Sequence, residues 1–133
     1  MSLNEKQLLG QMGEDAVALH YAEMGFTVLA RNLHISHNEI DLILQSSTHL
    51  AFVEVKTRHS VPGARNKYGR PADAVNKAKR AHIVQAAKDY LRDHPTNLQP
   101  RLDIAEVYVT RLADGTHQIT SIRVFPNAFG ARG

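Results

Sequence analysis

Asp41, Glu54 and Lys56 fall within one sixteen-residue stretch, Glu39-Ile-Asp-Leu-Ile-Leu-Gln followed by Phe52-Val-Glu-Val-Lys. Two carboxylates and an ammonium at this spacing suit one kind of chemistry if a β-hairpin brings them to one face. Residues Glu39–Gln45 alternate, with Ile40, Leu42 and Leu44 on one face and Glu39, Asp41 and Ile43 on the other. His49–Arg58 places Ala51, Val53 and Val55 on one face and Leu50, Phe52, Glu54 and Lys56 on the other. Ser46-Ser-Thr-His49 reads as the connecting turn. With Ser47 and Thr48 at its centre, Asp41 stands opposite Glu54 and Glu39 opposite Lys56. Directly opposed side chains have Cβ atoms about 4.5–5.5 Å apart. Facing carboxylates repel unless one is protonated or a cation lies between them. Oxygen ligands with open positions suit a hard divalent ion, Mg²⁺ or Mn²⁺. Lys56 then lies beside an attacking water and a transition state that gathers negative charge. A slip of one residue in register sends the two acids to opposite faces and abolishes the site.

Further charged residues fit the same reading. Glu14 lies in a helical stripe of small residues (Gly10, Glu14, Val17, Ala18, Tyr21, Gly25) suited to close approach to a sheet, where it becomes a further ligand or proton acceptor. Lys79, within the apolar stripe of a second helix, is placed to hold a phosphate. Lys56, Arg58, Arg65, Lys67, Arg70, Lys77, Lys79 and Arg80 make eight of the sixteen Lys and Arg, opposed in that span only by Asp73. A basic segment next to an acidic pair is what an enzyme acting on a phosphate backbone needs. The bland readings are an exposed Glu39–Lys56 cross-strand pair, a solvated Asp41, and a Lys79 that snorkels to water; each is plausible alone, and the set on one face favours function. The eight histidines show no metal-ligand spacing on one helix and read as surface residues, and no Gly-rich phosphate loop or serine-nucleophile motif is present.

The remaining elements must position these groups. A first helix runs from an Asn4 N-cap to Glu23 or Met24 and ends at Gly25. Its two apolar stripes, the second led by Leu8, Met12, Ala16 and Leu19, predict cover on more than one side. Phe26–Ala30 reads as a strand, His59–Arg70 as a loop, and a second helix runs from Pro71 or Ala72 to Asp93, stopped by Pro95. Its stripe is Val75, Ile83, Ala86 and Tyr90. Leu102–Arg111 and His117–Phe125 form a second hairpin about an Asp114-Gly115 turn. The order α-β-β-β-α-β-β predicts a single α/β domain over residues 1–125, with a mixed, mostly antiparallel sheet and a frayed tail at 126–133.

The bulk numbers agree with one domain. The chain has 133 residues, 43% hydrophobic and 22% charged, with net charge +3; that is enough for one core. It has no cysteine, which excludes disulfides and thiolate metal sites and fits a reducing compartment. No signal-peptide pattern and no apolar run of about 20 residues is seen, so a cytoplasmic protein without membrane contact is expected.

The segments Glu39-Ile-Asp41-Leu-Ile43 and Phe52-Val-Glu54-Val-Lys56-Thr-Arg58, with Gly13-Glu14, Arg31-Asn32, Val75 with Lys79, and Arg101-Leu-Asp103, resemble the YraN-like family of bacterial proteins. That family is similar to the PD-(D/E)XK nuclease superfamily, near the Holliday-junction resolvases and the tRNA-splicing-endonuclease-like fold. The resemblance implies a restriction-endonuclease-like mixed sheet flanked by helices. It implies that Asp41, Glu54 and the Val55 carbonyl bind the metal, that Lys56 is catalytic, and that Glu14 matches the acid of the first helix. The superfamily's nominal proline is absent, Ile40 standing before Asp41.

The expected function is metal-dependent endonuclease cleavage of phosphodiester bonds, leaving a 5′-phosphate as the superfamily implies, with Arg58, Arg65, Lys67, Arg70 and Lys79 holding the backbone. DNA is favoured over RNA because aromatics are 6% of residues and leave little base-stacking surface. Nothing resembles a base-reading helix, so structure-selective or nonspecific binding, branched or structured DNA being one candidate, is expected over sequence-specific cutting; a resolvase-like role calls for a homodimer. The competing expectation is a nucleic-acid-binding module of a repair, recombination or processing assembly that keeps the fold without turnover.

Overall fold

The computed structural model describes residues 4–59 and 77–128. In chain order the elements are α1 (Glu5–Glu23), β1 (Thr27–Ile35), β2 (Asn38–Gln45), β3 (His49–His59), α2 (Lys77–Asp93), β4 (Gln99–Arg111) and β5 (His117–Phe125). The five strands form one open sheet in the order β1-β2-β3-β4-β5. Only β3 and β4 run parallel, across the connection that contains α2; the other neighbours are antiparallel. This is the predicted α/β domain with a mixed, mostly antiparallel sheet. The predicted loop at 60–70, the first turns of the second helix with Val75, and residues 129–133 lie outside the described residues.

The helices cover opposite faces. α2 packs Ile83, Val84, Ala86 and Ala87 against Ile43, Leu50, Phe52, Leu102 and Ile104. α1 packs Val17 and Tyr21 against Leu42, Leu44, Ala51, Val53, Ala105, Val107 and Val109. Burial on both faces explains why β3 and β4 carry near-continuous apolar runs. α1 begins at a capping box: the Asn4 side chain accepts the Gln7 N–H at 2.8 Å, and Gln7 accepts the Asn4 N–H at 3.0 Å. It ends at Gly25, whose φ of 89° is the left-handed conformation that favours glycine.

Only one side of α1 is covered, contrary to the two-stripe expectation. Gly13, Val17 and Tyr21 are buried, while Leu8 and Leu19 of the other stripe are 52% and 65% exposed. Among the described residues the two helices serve the two sheet faces, and no third layer covers that stripe. Gly13 is where α1 sits closest: a Cβ there would collide with Thr57 Oγ1 of β3.

β1 extends to Ile35, well past the predicted Ala30, because a tight turn pairs Ile35 with Asn38 and makes β1–β2 a hairpin. β4 likewise begins at Gln99 rather than Leu102, since Gln99 N–H is held by the Thr48 carbonyl at 2.9 Å. At the tail, the Asn127 N–H donates to Asp103 at 2.9 Å and Ala128 packs on the α2-side core.

A buried polar knot ties the first helix to the sheet. Tyr21 donates to Asp103 Oδ2 at 2.6 Å, and Arg101 grips the same carboxylate through Nε and Nη2 at 2.9–3.1 Å. The Arg101 guanidinium also lies 5.2 Å over the Phe26 ring. Burial, reinforced by the Asp103 charge, pushes the Tyr21 hydroxyl far above its ordinary pKa, so it acts as a fixed donor.

Candidate active site

The β2–β3 register is the predicted one: Gln45 faces Leu50, Leu44 Ala51, Ile43 Phe52 and Leu42 Val53. The turn closes through Ser46 N–H to the His49 carbonyl at 2.9 Å, with Ser47 and Thr48 at its centre. The ladder then stops. In a ladder continued in this register Ile40 faces Val55, but the Val55 N–H is taken by Asp41 Oδ2 at 2.8 Å. A side-chain oxygen thus replaces a backbone partner and the two strands fork.

The fork corrects three expectations. Asp41 does not stand opposite Glu54 as a ladder pair, since the last pair is Leu42–Val53. Glu39 does not face Lys56; it pairs across β1 with His34, whose Nε2 lies 3.8 Å from its carboxylate. Ile40 does not share a face with Leu42 and Leu44; it joins Ile43 and Leu33 in the α2-side core, while Leu42 remains on the α1 side. β1 changes face first at an irregularity between Val28 and Ala30 and again before Leu33, and β2 changes face between Ile40 and Leu42. Asn32 has a φ of 49°, and it occupies the β1 position opposite Asp41 in the register of Arg31–Leu42 and Leu33–Ile40. Left-handed backbone is tolerated by asparagine better than by most side chains. This double irregularity releases Asp41 from the face that strict alternation assigns it.

The predicted residues gather around the fork. A cleft of about 760 Å³ is bordered by Glu14, Asp41, Glu54, Val55, Lys56 and Lys79, and Glu5, Lys6 and His59 also line it. Glu54 is 5% exposed. Its Oε1 receives Lys79 Nζ at 2.5 Å and Lys56 Nζ at 3.4 Å. Glu14, with its side chain 15% exposed, accepts Asn32 Nδ2 at 3.0 Å and lies 3.6 Å from Arg31. Asp41 makes no other hydrogen bond among the described residues, which leaves Oδ1 open.

The electrostatics follow from burial and crowding. Burial, and then the neighbouring Glu54 charge, push the Asp41 carboxyl up to about 7, against the pull of the Val55 N–H. Burial also lowers the Lys56 ammonium below the ordinary lysine value, with the Lys79 charge helping and Glu54 opposing. Against the desolvation that burial imposes, the Glu54 hydrogen bond and charge lift Lys79 above the ordinary value. The open Asp41 oxygen and the Glu54 carboxylate are hard donors of the kind a divalent cation takes, and Lys79 and Lys56 already lie on Glu54 Oε1. Among the described residues no three acid or imidazole side chains converge as a metal-ligating set. An ion at these two acids would have to take the rest of its shell from main chain, water or phosphate.

The basic residues divide. Lys79 lies at the fork. Arg58 is held by buried Glu106, Nε to Oε2 at 3.0 Å, and Tyr108 donates to the same acid at 2.8 Å. Arg65, Lys67 and Arg70 lie outside the described residues. Three residues that shape this region were missed at the outset. Asn32 had a signal in the Arg31-Asn32 pair, and Glu106 had one as an acid inside an apolar strand. His117, expected at the surface, has a side chain only 10% exposed, and its Nε2 is buried without a hydrogen bond, 3.5 Å from Glu5.

An open, helix-flanked mixed sheet whose central hairpin forks to present two acids and two lysines defines an α/β domain with a polar cleft at a strand fork. Residues 13–107 match the family model described as "Uncharacterised protein family UPF0102". The chain belongs to this family. Among its relatives, the UPF0102 protein of Chloroherpeton thalassium is 35% identical over 106 residues, 79% of this chain and 78% of that one. That of Chlorobium chlorochromatii is 37% identical over 121 residues, 91% and 90% of the two chains. Among solved structures, Pyrococcus furiosus SfsA in complex with Ca²⁺ is similar over 88% of this chain and 63% of that one, at 12% identity and a TM-score of 0.43, a loose likeness only. No helix among the described residues is long and apolar enough to cross a membrane.

Proposed function

We propose that this protein is a metal-dependent endonuclease of the PD-(D/E)XK type that hydrolyses phosphodiester bonds in DNA, with branched or structured DNA as its substrate and the cytoplasm as its setting. The observation that carries the proposal is the convergence of Asp41, Glu54, Lys56 and Lys79 on one cleft at the β2–β3 fork. Asp41 and Glu54, with the Val55 carbonyl, would hold Mg²⁺ or Mn²⁺. When bound, such an ion supplies Lewis acidity and a water of lowered pKa.

The chain's own groups do the rest. Lys56, on the strand that carries Glu54, orients the attacking water and meets the charge that grows on the phosphoryl oxygens. Lys79 moves from Glu54 to the phosphate when the substrate enters. Glu14, steadied by Asn32 and Arg31, takes the proton of the attacking water or closes the ligand shell through water. Arg58, Arg65, Lys67 and Arg70 hold the backbone on either side, and a homodimer serves symmetric cutting of a junction.

One observation favours a second reading, a binding module without turnover: Lys79 and Lys56 both lie on Glu54 Oε1, as in a closed ion-pair cluster. The test is incubation of the purified protein with duplex, branched and single-stranded DNA and with RNA in Mg²⁺ or Mn²⁺, beside a Glu54→Ala/Lys56→Ala variant. Cleavage of DNA by the wild type alone supports the enzyme. Salt-sensitive binding by both without cleavage supports the module.

A further inference from the structure

The β2–β3 fork is bordered on its other side by a second groove, of about 420 Å³, where Asp41, Glu54 and Lys79 meet His37, Asn38, Glu39 and His82. His37 comes from the β1–β2 turn and Asn38 opens β2, while His82 stands one turn of α2 beyond Ala78. The imidazoles of His37 and His82 are exposed, while the neighbouring Ile83 is 4% exposed and belongs to the core.

The size and chemistry of this groove select its occupant. Its volume is at the small end of ligand pockets, enough for a nucleoside and too little for paired strands. Three acids, Glu39, Asp41 and Glu54, outnumber the one lysine, Lys79, along its lining and disfavour a phosphodiester there, which is drawn instead to the fork, where Lys56 stands with Lys79. What remains complementary is a flat, uncharged ring that accepts stacking from imidazole and hydrogen bonds from a carboxamide. Imidazole faces stack on bases, and the Asn38 amide offers both a donor and an acceptor to a base edge.

We infer that this groove is a subsite for one unpaired nucleobase adjoining the phosphodiester held at the fork. The inference rests on the nuclease reading for the position of that phosphate. A base enters such a groove only after leaving its stack, which is least costly where it has no partner. The subsite therefore selects DNA with an unpaired nucleotide beside the bond to be cut.

The test uses the full chain with a duplex carrying 2-aminopurine, either fully paired or in a one-nucleotide bulge, with binding read by anisotropy in Ca²⁺ and cleavage read separately in Mg²⁺. The bulged duplex is expected to bind on the order of tenfold tighter, within the range measured for one stacked base, and its 2-aminopurine fluorescence to change on binding. The His37→Ala/His82→Ala variant should bring the two affinities within about twofold and abolish the fluorescence change, with paired-duplex affinity kept. His82→Phe, which keeps a stacking face, should retain the preference and guards against a folding artefact. Equal affinity of the wild type for both duplexes, or a preference that survives the double alanine variant, overturns the subsite. Preference without cleavage leaves the subsite standing and removes the nuclease reading; cleavage with no histidine-dependent preference does the reverse.

Discussion

Asp41 Oδ2 accepts the N–H of Val55 at 2.8 Å, the donor that Ile40 meets in a continued β2–β3 ladder. One hydrogen bond thereby does two things. It ends the pairing cleanly, without an orphaned Val55 amide, and it fixes an acid at the fork beside Glu54 with its second oxygen open.

The first consequence is a pH dependence of stability in the metal-free protein. The folded-state pKa of Asp41, about 7, is raised above its unfolded value by burial and by Glu54. A raised pKa means that the folded state binds the proton more tightly, so this contribution is complete below the unfolded value near 4 and is lost as pH rises through 7. The slope is at most about 1.4 kcal/mol per pH unit in that window. Urea unfolding in EDTA at pH 5 and pH 8 should show the wild type losing more stability with rising pH than Asp41→Asn. Equal pH slopes for the two proteins would show that Asp41 titrates as an ordinary exposed acid.

Gly13→Ala should destabilise by about 1–3 kcal/mol, although Gly→Ala inside a helix is normally favourable by about 1 kcal/mol. The added methyl collides with Thr57 Oγ1 and forces α1 off β3. Gly13→Ala/Thr57→Ala should recover most of the loss in a thermal-melt cycle. A stabilised single variant would place the helix farther from the sheet.

Tyr21→Phe removes one of the donors to buried Asp103 but leaves Arg101 and the Asn127 N–H in place. The expected cost is about 1–2 kcal/mol by urea denaturation. Asp103→Ala leaves the Arg101 charge and the Tyr21 hydroxyl unmatched and should cost more, about 3–5 kcal/mol. If the two variants cost the same, the knot is not held together by the carboxylate.

Lys79→Met should tighten divalent-ion binding while weakening DNA binding. Lys79 Nζ lies 2.5 Å from Glu54 Oε1 and competes with an ion for that oxygen. Calorimetric Mn²⁺ titration and a DNA-binding assay on one preparation check both signs. Loss of ion affinity would mean that Lys79 supports the acid pair rather than occupying it.

Much of this architecture was legible from local chemistry. The Asn4 cap, the Gly25 stop and the turn centred on Ser47-Thr48 are short-range signals, and each appears where its residues predict. The register from Gln45–Leu50 to Leu42–Val53 followed from that turn alone, whereas Asp41 reaches the neighbourhood of Glu54 through the fork rather than as its ladder partner. The fork was not legible, because strict alternation is a property of an unbroken ladder, and a side chain taking a backbone N–H leaves no periodic trace. For the same reason the expected Glu39–Lys56 opposition failed, three residues beyond the last pair. The exposed stripe of Leu8 and Leu19 shows the other limit: apolar spacing reports which faces a helix offers, not how many layers the fold has to cover them. Asn32 was visible only as half of a dipeptide, since its role comes from a left-handed backbone and a bond to Glu14 across eighteen residues.

The central claim is that Asp41 and Glu54 together hold one divalent cation, and Mn²⁺ binding followed by calorimetry or by electron paramagnetic resonance tests it most directly. One Mn²⁺ per chain is predicted for the wild type at pH 8, with affinity falling by tenfold or more in Asp41→Asn and in Glu54→Gln, each still folded. No stoichiometric binding, or binding that both variants retain, would contradict the account.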